Sequence, residues 1–447
     1  MVGIGGSGMS GIAEVLIGTG FRVTGSDMSE SDLTRRLRGM GAEVSIGHDA
    51  SYVGGAEAVV YSSAIKSDHV ELVAARSNKI PLISRAVMLA ELMRMKAGIA
   101  ISGTHGKTTT TSLTGLVVAA GGFDPTVIVG GRLRRVEGGV RQGAGDILVA
   151  EADEFDQSFL RLTPTLVVIT NIDVDHLECY GSFQALEDAF IQFGNSVPFY
   201  GRTIVCLDEP SIQKVLHRFN RSVLTYGLTP SANVIGNITK FNAMETTFTV
   251  SVEGGNLGEV VLPLPGRHNV LNALASIAIG LELCIPFHQI KSALERFEGV
   301  HRRFEILGEV NGVMIVDDFA HHPAEISATL AAAKDGWKRP LVAIFQPHLY
   351  SRTQSLAKDF GRALLAADTV IILPIYPARE RPIAGVTNQL IVDAARELGH
   401  KNIIGLDDRS KVVDAVRAIL KPGDMLLTIG AGDVYKLAPM IMEGLKA

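Results

Sequence analysis

The stretch Ser102 to Ser112 reads SGTHGKTTTTS. A Gly-rich turn followed by Lys and Thr is the residue pattern of a phosphate cradle. Backbone N–H groups at a helix N-terminus face the anion, the Lys adds a point charge, and the hydroxyl is placed for Mg²⁺. In the usual pattern the two glycines stand five residues apart, whereas Gly103 and Gly106 stand only three apart. The loop is two residues short. Downstream, two apolar runs end in polar clusters: DILVAEADEFD carries Glu151 and Asp153, and LVVITNIDVDH carries Asn171, Asp173, Asp175 and His176. One acid at a strand tip is commonly a cap or turn former. Two such clusters behind one phosphate loop favour a phosphate and metal site, because ligands of open α/β sheets gather at the carboxyl ends of strands.

A second Gly-rich turn opens the chain. GIGGSGMSG places Gly3, Gly5 and Gly8 in a G-x-G-x-x-G pattern, and Asp27 follows 19 residues after Gly8. Alone, this pattern favours a nucleotide, with NAD and Asp27 on its ribose as the direct reading, over a turn that only packs a helix on a strand. Only Met1 and Val2 remain to supply the preceding strand, so either that strand is very short or residues are missing. Later segments add scattered candidates. His268 and Asn269 in PGRHNVLNALA suit a helix cap as well as a ligand, Arg302 and Arg303 are adjacent cations in HRRFE, and DDFAHHP and QPHLYSRT carry His322, His348 and Arg352.

These groups need a scaffold, and 447 residues with 47% hydrophobic content suffice for about three domains. Strand and helix patterns alternate through EAVVYSSAI and IPLIS, which implies a first open α/β domain over residues 1–96. A second, residues 97–300, starts with the strand before the short loop and includes short β runs (SVLTYGL, NVIGNITKF, TTFTVSV, GEVVLPL) that read as a small antiparallel appendage. Alternation resumes over residues 301–447, a third α/β domain. A formal charge of −5 offers no broad basic surface for nucleic acid. The three cysteines, Cys179, Cys206 and Cys284, lack paired spacing and suit reduced thiols. The absence of long apolar runs and of a secretory leader points to a soluble, cytoplasmic protein with no stable membrane association.

GIGGSGMSG, SGTHGKTTTT, EADE, TNIDVDH, PGRHNVLNALA, HRRFE, DDFAHHP and QPHLYSRT occur in an order and spacing that resemble the Mur ligases, across essentially the whole chain. The resemblance implies a Rossmann-like UDP-binding domain, a central P-loop ATPase-like domain and a C-terminal Rossmann-like domain, with ATP and Mg²⁺ as cofactors. It implies a γ-phosphoryl transfer to the lactyl carboxylate of UDP-N-acetylmuramate, then attack by an amine on the acyl phosphate. Gly103, Thr104, His105, Gly106, Lys107, Thr108 and Thr109 match the family's ATP loop, with Thr108, Glu151 and His176 at Mg²⁺. An imidazole is an unusual Mg²⁺ ligand, so His176 also suits a role through water. By the same resemblance Asn269 contacts adenine, Arg303 the γ-phosphate, and Asp317 or Asp318 the ribose. The first Gly-rich turn then takes the UDP pyrophosphate instead of NAD, with Ser7, Gly8 and Met9 near the phosphates, Asp27 nearby and Ser62 and Ser63 opposite. Domain closure is expected to complete the site.

Relatives acting later in the pathway carry a modified Lys near the second metal, but there is no Lys from Asn171 through Gly201. This favours the first step, which adds L-alanine. Arg352 is the expected clamp for the alanine carboxylate, with His322 and His348 as polar support or proton acceptors. Phe319 and Leu349 stand where the family often has Tyr and Arg. DDFAHHP also resembles a recycling ligase that attaches a whole tripeptide to the same sugar nucleotide. A NAD-dependent oxidoreductase and an inactive nucleotide sensor are the readings from other classes.

Overall fold

Val2 occupies the strand position ahead of the N-terminal turn. In a computed structural model describing all residues but Ser63, 131–138, His176, Arg379 and Ala447, and the backbone alone of Ser7, Asp156, Leu177 and Glu178, Val2 bridges in parallel to both Ser26 and Tyr61. It thereby joins two parallel pairs. On one side are β1 (Thr24–Asp27) and β2 (Glu43–Ile46), and on the other β3 (Val59–Tyr61) and β4 (Leu82–Ser84). Val2, Val59 and Leu72 share one buried cluster, so this one residue serves both the ladder and the core.

The chain forms two units: Met1–Asn237 with Phe248–Val260 and Val270–Val300, and Ile238–Thr247 with Val261–Asn269 and His301–Ala447. Among the described residues, no helix is long and apolar enough to cross a membrane.

The largest sheet of the first unit is built around β5 (Ala97–Ser102). It continues with β6 (Thr126–Ile128), β7 (Val140–Arg141), β8 (Ile147–Glu151), β9 (Leu166–Ile169), β10 (Arg202–Cys206) and β11 (Val223–Gly227). β12 (Val234–Asn242), β13 (Glu245–Val252) and β14 (Gly255–Leu262) extend the edge beyond β11. β5 lies between β8 and β9 and runs parallel to both. Its residues from Gly98 to Ser102 are all buried, as expected of a parallel strand covered on both faces. This register places the end of β8, with Glu151, on one side of the loop after β5 and the end of β9 on the other.

The short β runs after Tyr200 differ from the expected appendage at their start. β11, from SVLTYGL, is parallel to β10, and β12 begins parallel to β11 through Tyr226↔Val234 and Gly227↔Ile235. Thr225 exchanges hydrogen bonds with Asn233, so a turn too short for a helical crossover still returns the chain in parallel.

The second unit holds β15 (Glu305–Val310), β16 (Val313–Asp318), β17 (Leu341–Phe345), β18 (Thr369–Ile372), β19 (Ile403–Gly405) and β20 (Met425–Ile429), in the order β15-β16-β20-β17-β18-β19. β15 is antiparallel to β16 and the other pairs are parallel. Alternate residues face opposite cores. Val316, Ala343, Phe345 and Leu427 pack under the helices Pro323–Gly336, Tyr350–Leu364 and Gln389–Glu397, while Ile315, Val342, Ile344 and Leu426 pack with Val412–Ile419 and Leu437–Lys446. Two-sided burial explains the near-continuous apolar runs VMIV, LVAIF and MLLTI. Because β16 and β17 both flank β20, their polar ends meet at one edge, where Asp317, Asp318 and Gln346 emerge.

Candidate active site

Both glycines of the short loop are sterically required. Gly103 has φ +130° and a Cβ there would lie 2.0 Å from Thr170 Oγ1; Gly106 has φ +81° and a Cβ would lie 2.6 Å from Asn272 Oδ1. Left-handed geometry without a Cβ lets the backbone turn tightly into the helix Lys107–Ala120. That helix has no side-chain cap, so its first N–H groups are available to an anion.

Lys107 folds back over the loop. Its Nζ donates to Gly103 O at 2.7 Å and to Glu154 at 2.7 and 3.0 Å. Glu154 is only 1% exposed. Burial alone would lower the lysine pKa, but the carboxylates of Glu154, Asp153 and Glu151 outweigh it and raise it above its ordinary value. Lys107 therefore stays cationic. Thr108 Oγ1 donates to Glu151 at 3.0 Å, and Gly130 N–H donates to the same carboxylate at 2.8 Å. Thr109 is buried behind them. The structure thus brings together Gly103, Gly106, Lys107, Thr108 and Glu151, and adds Glu154, the last acid of EADE, which residue type alone does not single out. Thr104 and His105 turn their N–H groups toward Asn171, at 3.2 and 2.8 Å. His176 lies outside the described residues.

At the N-terminal turn, Gly5 N–H donates to Asp27 Oδ2 at 2.8 Å, so Asp27 braces the Gly-rich backbone. Ser62 N–H donates to Val2 O, and its Cβ would stand 3.6 Å from one on Gly3, which makes the turn and the YSSAI segment neighbours. Ser63 and the side chain of Ser7 lie outside the described residues. Met9 is 1% exposed; its side chain belongs to the core, and only its backbone suits the pyrophosphate role expected of it. Arg85 was not anticipated. Its Nη1 would be 2.6 Å from a Cβ on Gly8, which puts a guanidinium against the turn that a lone Arg in ISRA did not signal. Behind β1, Ser26 donates to the buried Glu71 at 2.7 Å and His48 Nδ1 lies 2.7 Å from it, a polar cluster that ties the sheet to the helix Val70–Ser77.

In the second unit, Arg302 Nε donates to Asp317 Oδ2 at 2.9 Å and Nη2 to Gly430 O at 2.6 Å. Its guanidinium carbon sits 5.0 Å from the Phe319 ring centre and 4.5 Å from that of Tyr435. Arg303 pairs with Glu325 at 3.5 Å and lies 5.3 Å from the Phe319 ring centre. Asp317 also accepts from Thr428 Oγ1 at 2.6 Å. Asp318 accepts from Phe304 N and Ala320 N at 2.8 and 2.7 Å; burial lifts its carboxyl to about 6 against the pull of Arg303 and these N–H groups. Asn269 is buried and donates to Pro265 O at 2.8 Å. His322 caps the helix Pro323–Gly336 in a capping box with Glu325, the ordinary role for a polar residue before Pro.

Arg352 is 7% exposed, which sets it apart from a surface arginine. It sits in the first turn of Tyr350–Leu364, whose N-cap Leu349 has φ +72° and no side-chain cap. His348 forms a parallel bridge with Tyr376 and stacks on its ring at 5.7 Å. Glu380, unassigned from sequence, accepts from Ser351 N–H at 3.0 Å and so caps this helix from another loop.

The pKa of His268 is lowered to about 4 by burial, with Arg303 adding to the effect and Glu325 opposing it. A histidine buried neutral contributes stability above its unfolded pKa near 6.5, and that contribution is lost as pH falls toward 4 because the unfolded chain binds the proton first. The stability difference between wild type and His268→Gln is expected to shrink by roughly 3 kcal/mol from pH 7 to pH 4. Denaturant unfolding of both proteins at several pH values measures it, and a pH-independent difference would reject a neutral buried imidazole.

Comparison with known proteins accords with this arrangement. Residues 1–97 match the Mur ligase family catalytic domain, 101–280 the Mur ligase middle domain and 302–432 the Mur ligase glutamate ligase domain. The chain is 48% identical over 445 residues to the UDP-N-acetylmuramate–L-alanine ligase of Geotalea uraniireducens, covering 100% of this chain and 97% of that one. It is 49% identical over 444 residues to the like-named enzyme of Solidesulfovibrio magneticus, covering 99% and 97%. A crystal structure of the UDP-N-acetylmuramate–alanine ligase of Thermotoga maritima superposes with a TM-score of 0.81 at 30% identity, covering 99% and 97% of the two chains. A murein peptide ligase of Psychrobacter arcticus shares the fold, with a TM-score of 0.70 at 22% identity over 100% and 98%. Matched along nearly its whole length, the chain belongs to the Mur ligase family.

Proposed function

We propose that this protein joins L-alanine to the lactyl carboxylate of UDP-N-acetylmuramate, with ATP converted to ADP and phosphate. The observation that carries the reading is the grouping of Lys107 and Thr108 at one helix N-terminus with Glu151 and Glu154, in a chain about half identical to enzymes named for this reaction. The reading assigns sugar-nucleotide binding to residues 1–96, ATP binding to 97–300 and amino-acid binding to 301–447. The segment matches support these boundaries.

A carboxylate is a poor acylating agent because its charge and resonance oppose an incoming amine. Attack of the lactyl oxygen on the γ-phosphorus forms an acyl phosphate as ADP leaves; the alanine amine then adds to the carbonyl, and the tetrahedral intermediate expels phosphate. Negative charge accumulates on phosphoryl oxygens throughout, so fixed cations and N–H dipoles are the main catalytic resource. Lys107 presents a permanent charge at the loop, and Arg303 is assigned to the γ-phosphate by resemblance. Thr108 and Glu151 present oxygen donors of the hard kind that Mg²⁺ prefers, so they fit the ion; when bound it would offset phosphate charge. His176 is assigned to the same ion by resemblance. Asn269 is assigned to the adenine, and Asp317 or Asp318 to the ribose. Both acids are already engaged by neighbouring N–H, hydroxyl or guanidinium groups, so either would receive the sugar hydroxyls as a preset acceptor. Ser62 and the backbone from Ser7 to Met9 are assigned to the UDP pyrophosphate. Arg352 clamps the alanine carboxylate, with His348 beside it.

The deciding assay is phosphate release from ATP, which is expected to require both UDP-N-acetylmuramate and L-alanine; release with a murein tripeptide but not with alanine would overturn the assignment. Lys107→Ala is expected to lower turnover on the order of 10²–10³-fold or more while the sugar nucleotide still binds, and an equal loss of sugar-nucleotide affinity would contradict the loop's role. Arg352→Ala is expected to raise the alanine KM at least about tenfold, as loss of a charge-assisted hydrogen bond predicts, and to leave the KM for ATP unchanged. An unaltered alanine KM would remove Arg352 from the pocket.

A further inference from the structure

The short loop raises a mechanical question. A cradle with two residues fewer between its glycines has less backbone with which to hold its own shape. The segment just beyond β9 provides the missing support. Asn171 Oδ1 accepts from His105 N–H at 2.8 Å, and Asn171 Nδ2 donates to His105 O at 3.0 Å. The side-chain amide thus pairs with one loop residue as a neighbouring strand would. The backbone of the same segment continues the pairing. Asn171 O accepts from Thr104 N–H at 3.2 Å, and Asp173 N–H donates to Thr104 Oγ1 at 2.9 Å. Thr170 Oγ1 donates to His105 O at 2.6 Å.

These bonds divide the loop by task. The N–H groups of Thr104 and His105 are directed at Asn171, away from the role that a longer loop gives its central amides. The N–H groups that the helix geometry leaves without an intrahelical acceptor begin after them, from Gly106 to Thr109. Gly103 can approach the Thr170 backbone only because it lacks a Cβ, so the loop is seated directly on this segment.

We infer that Asn171 is a positioning residue that stands in for the two absent loop residues, holding the cradle so that nucleotide phosphate is met by the Gly106–Thr109 amides. Asn171 itself touches no phosphate in this arrangement. Its effect reaches the nucleotide through His105. The inference rests on the loop being the ATP site, and the test separates the two. A misplacement of the cradle weakens nucleotide binding and leaves the N-terminal sugar-nucleotide turn alone, whereas general loss of structure weakens both.

The experiment is calorimetric titration of the full-length protein with MgADP and, separately, with UDP-N-acetylmuramate. Asn171→Ala removes both halves of the bracket. Asn171→Asp, equal in size, keeps the acceptor for His105 N–H but sets a carboxylate oxygen against the His105 carbonyl. Asn171→Ala is expected to raise the ADP Kd at least tenfold and Asn171→Asp at least threefold, with the Kd for the sugar nucleotide within twofold of wild type in both. ADP affinities within twofold of wild type would overturn the inference, as would parallel losses for both nucleotides. Should Asn171→Ala fail to fold, Asn171→Asp decides alone by the same criteria. A wild-type protein that binds no ADP would reject the ATP reading of the loop and this inference with it, whereas intact ADP binding with unaffected variants rejects only the inference.

Discussion

A buried ammonium without a carboxylate is among the costlier arrangements a protein can hold, on the order of 3–5 kcal/mol when one partner of a buried pair is removed. Without Glu154, Lys107 would be such a group, and the arrangement of the first unit's strand tips around the loop follows from neutralising it. The requirement brings Glu154 beneath the loop, curls the lysine onto Gly103 O, and leaves Glu151 to Thr108. The result is a cation held in place by its own protein at the start of a helix whose dipole has the same sign. On the proposed reading an incoming polyphosphate meets an ammonium and helix N–H groups already in place, so little reorganisation is required as charge moves during phosphoryl transfer.

That arrangement depends in turn on strand order. β5 lies between β8 and β9, so the loop leaving β5 has the Glu151–Glu154 tip on one side and the tip bearing the Asn171 amide on the other. The acidic side sets the charge of Lys107, and the amide side sets the path of the backbone. In the second unit the same principle applies at the edge where β16, β17 and β20 end: Asp317, Asp318 and Gln346 emerge side by side, and Arg302 ties the first of them to Gly430 past the end of β20. Parallel sheets buried on both faces have only their strand ends left for polar work.

The loop, the strand tips and the order of the motifs were legible from residue type and spacing, because glycine, lysine and acid placement is dictated by local chemistry. The partner of Lys107 was not. Glu151, Asp153 and Glu154 are three acids in four residues, and which one turns inward depends on the path of the backbone after β8 ends. The burial of the Met9 side chain and the approach of Arg85 to Gly8 were not legible either, since which side chains face the core and which reach the Gly-rich turn is a matter of tertiary packing. β11 and β12 were read as antiparallel because the link between them is short. Local spacing cannot distinguish a hairpin from the reciprocal Thr225–Asn233 bracket that returns the chain in parallel. The double bridge of Val2 to Ser26 and Tyr61 was not legible, because it depends on two strands distant in sequence.

The adjacent cations Arg302 and Arg303 show how one departure from the family pattern is absorbed. Phe319 stands where the family often has Tyr, and so lacks a hydroxyl. In the structure the ring serves chiefly through its face, with both guanidinium groups lying about 5 Å from its centre, a contact in which the aromatic quadrupole attracts cations whether or not a hydroxyl is present. Arg302, with positive φ and its hydrogen bonds to Asp317 and Gly430, is committed to structure and fixes the turn. Arg303 is directed elsewhere by that turn, toward Glu325 and His268. Burial, reinforced by the Arg303 charge, depresses the His268 pKa, so the imidazole stays neutral and no second cation is added next to the guanidinium. The pair therefore divides between one arginine that holds the backbone and one that presents charge, and the phenyl ring between them supports both roles without the hydroxyl.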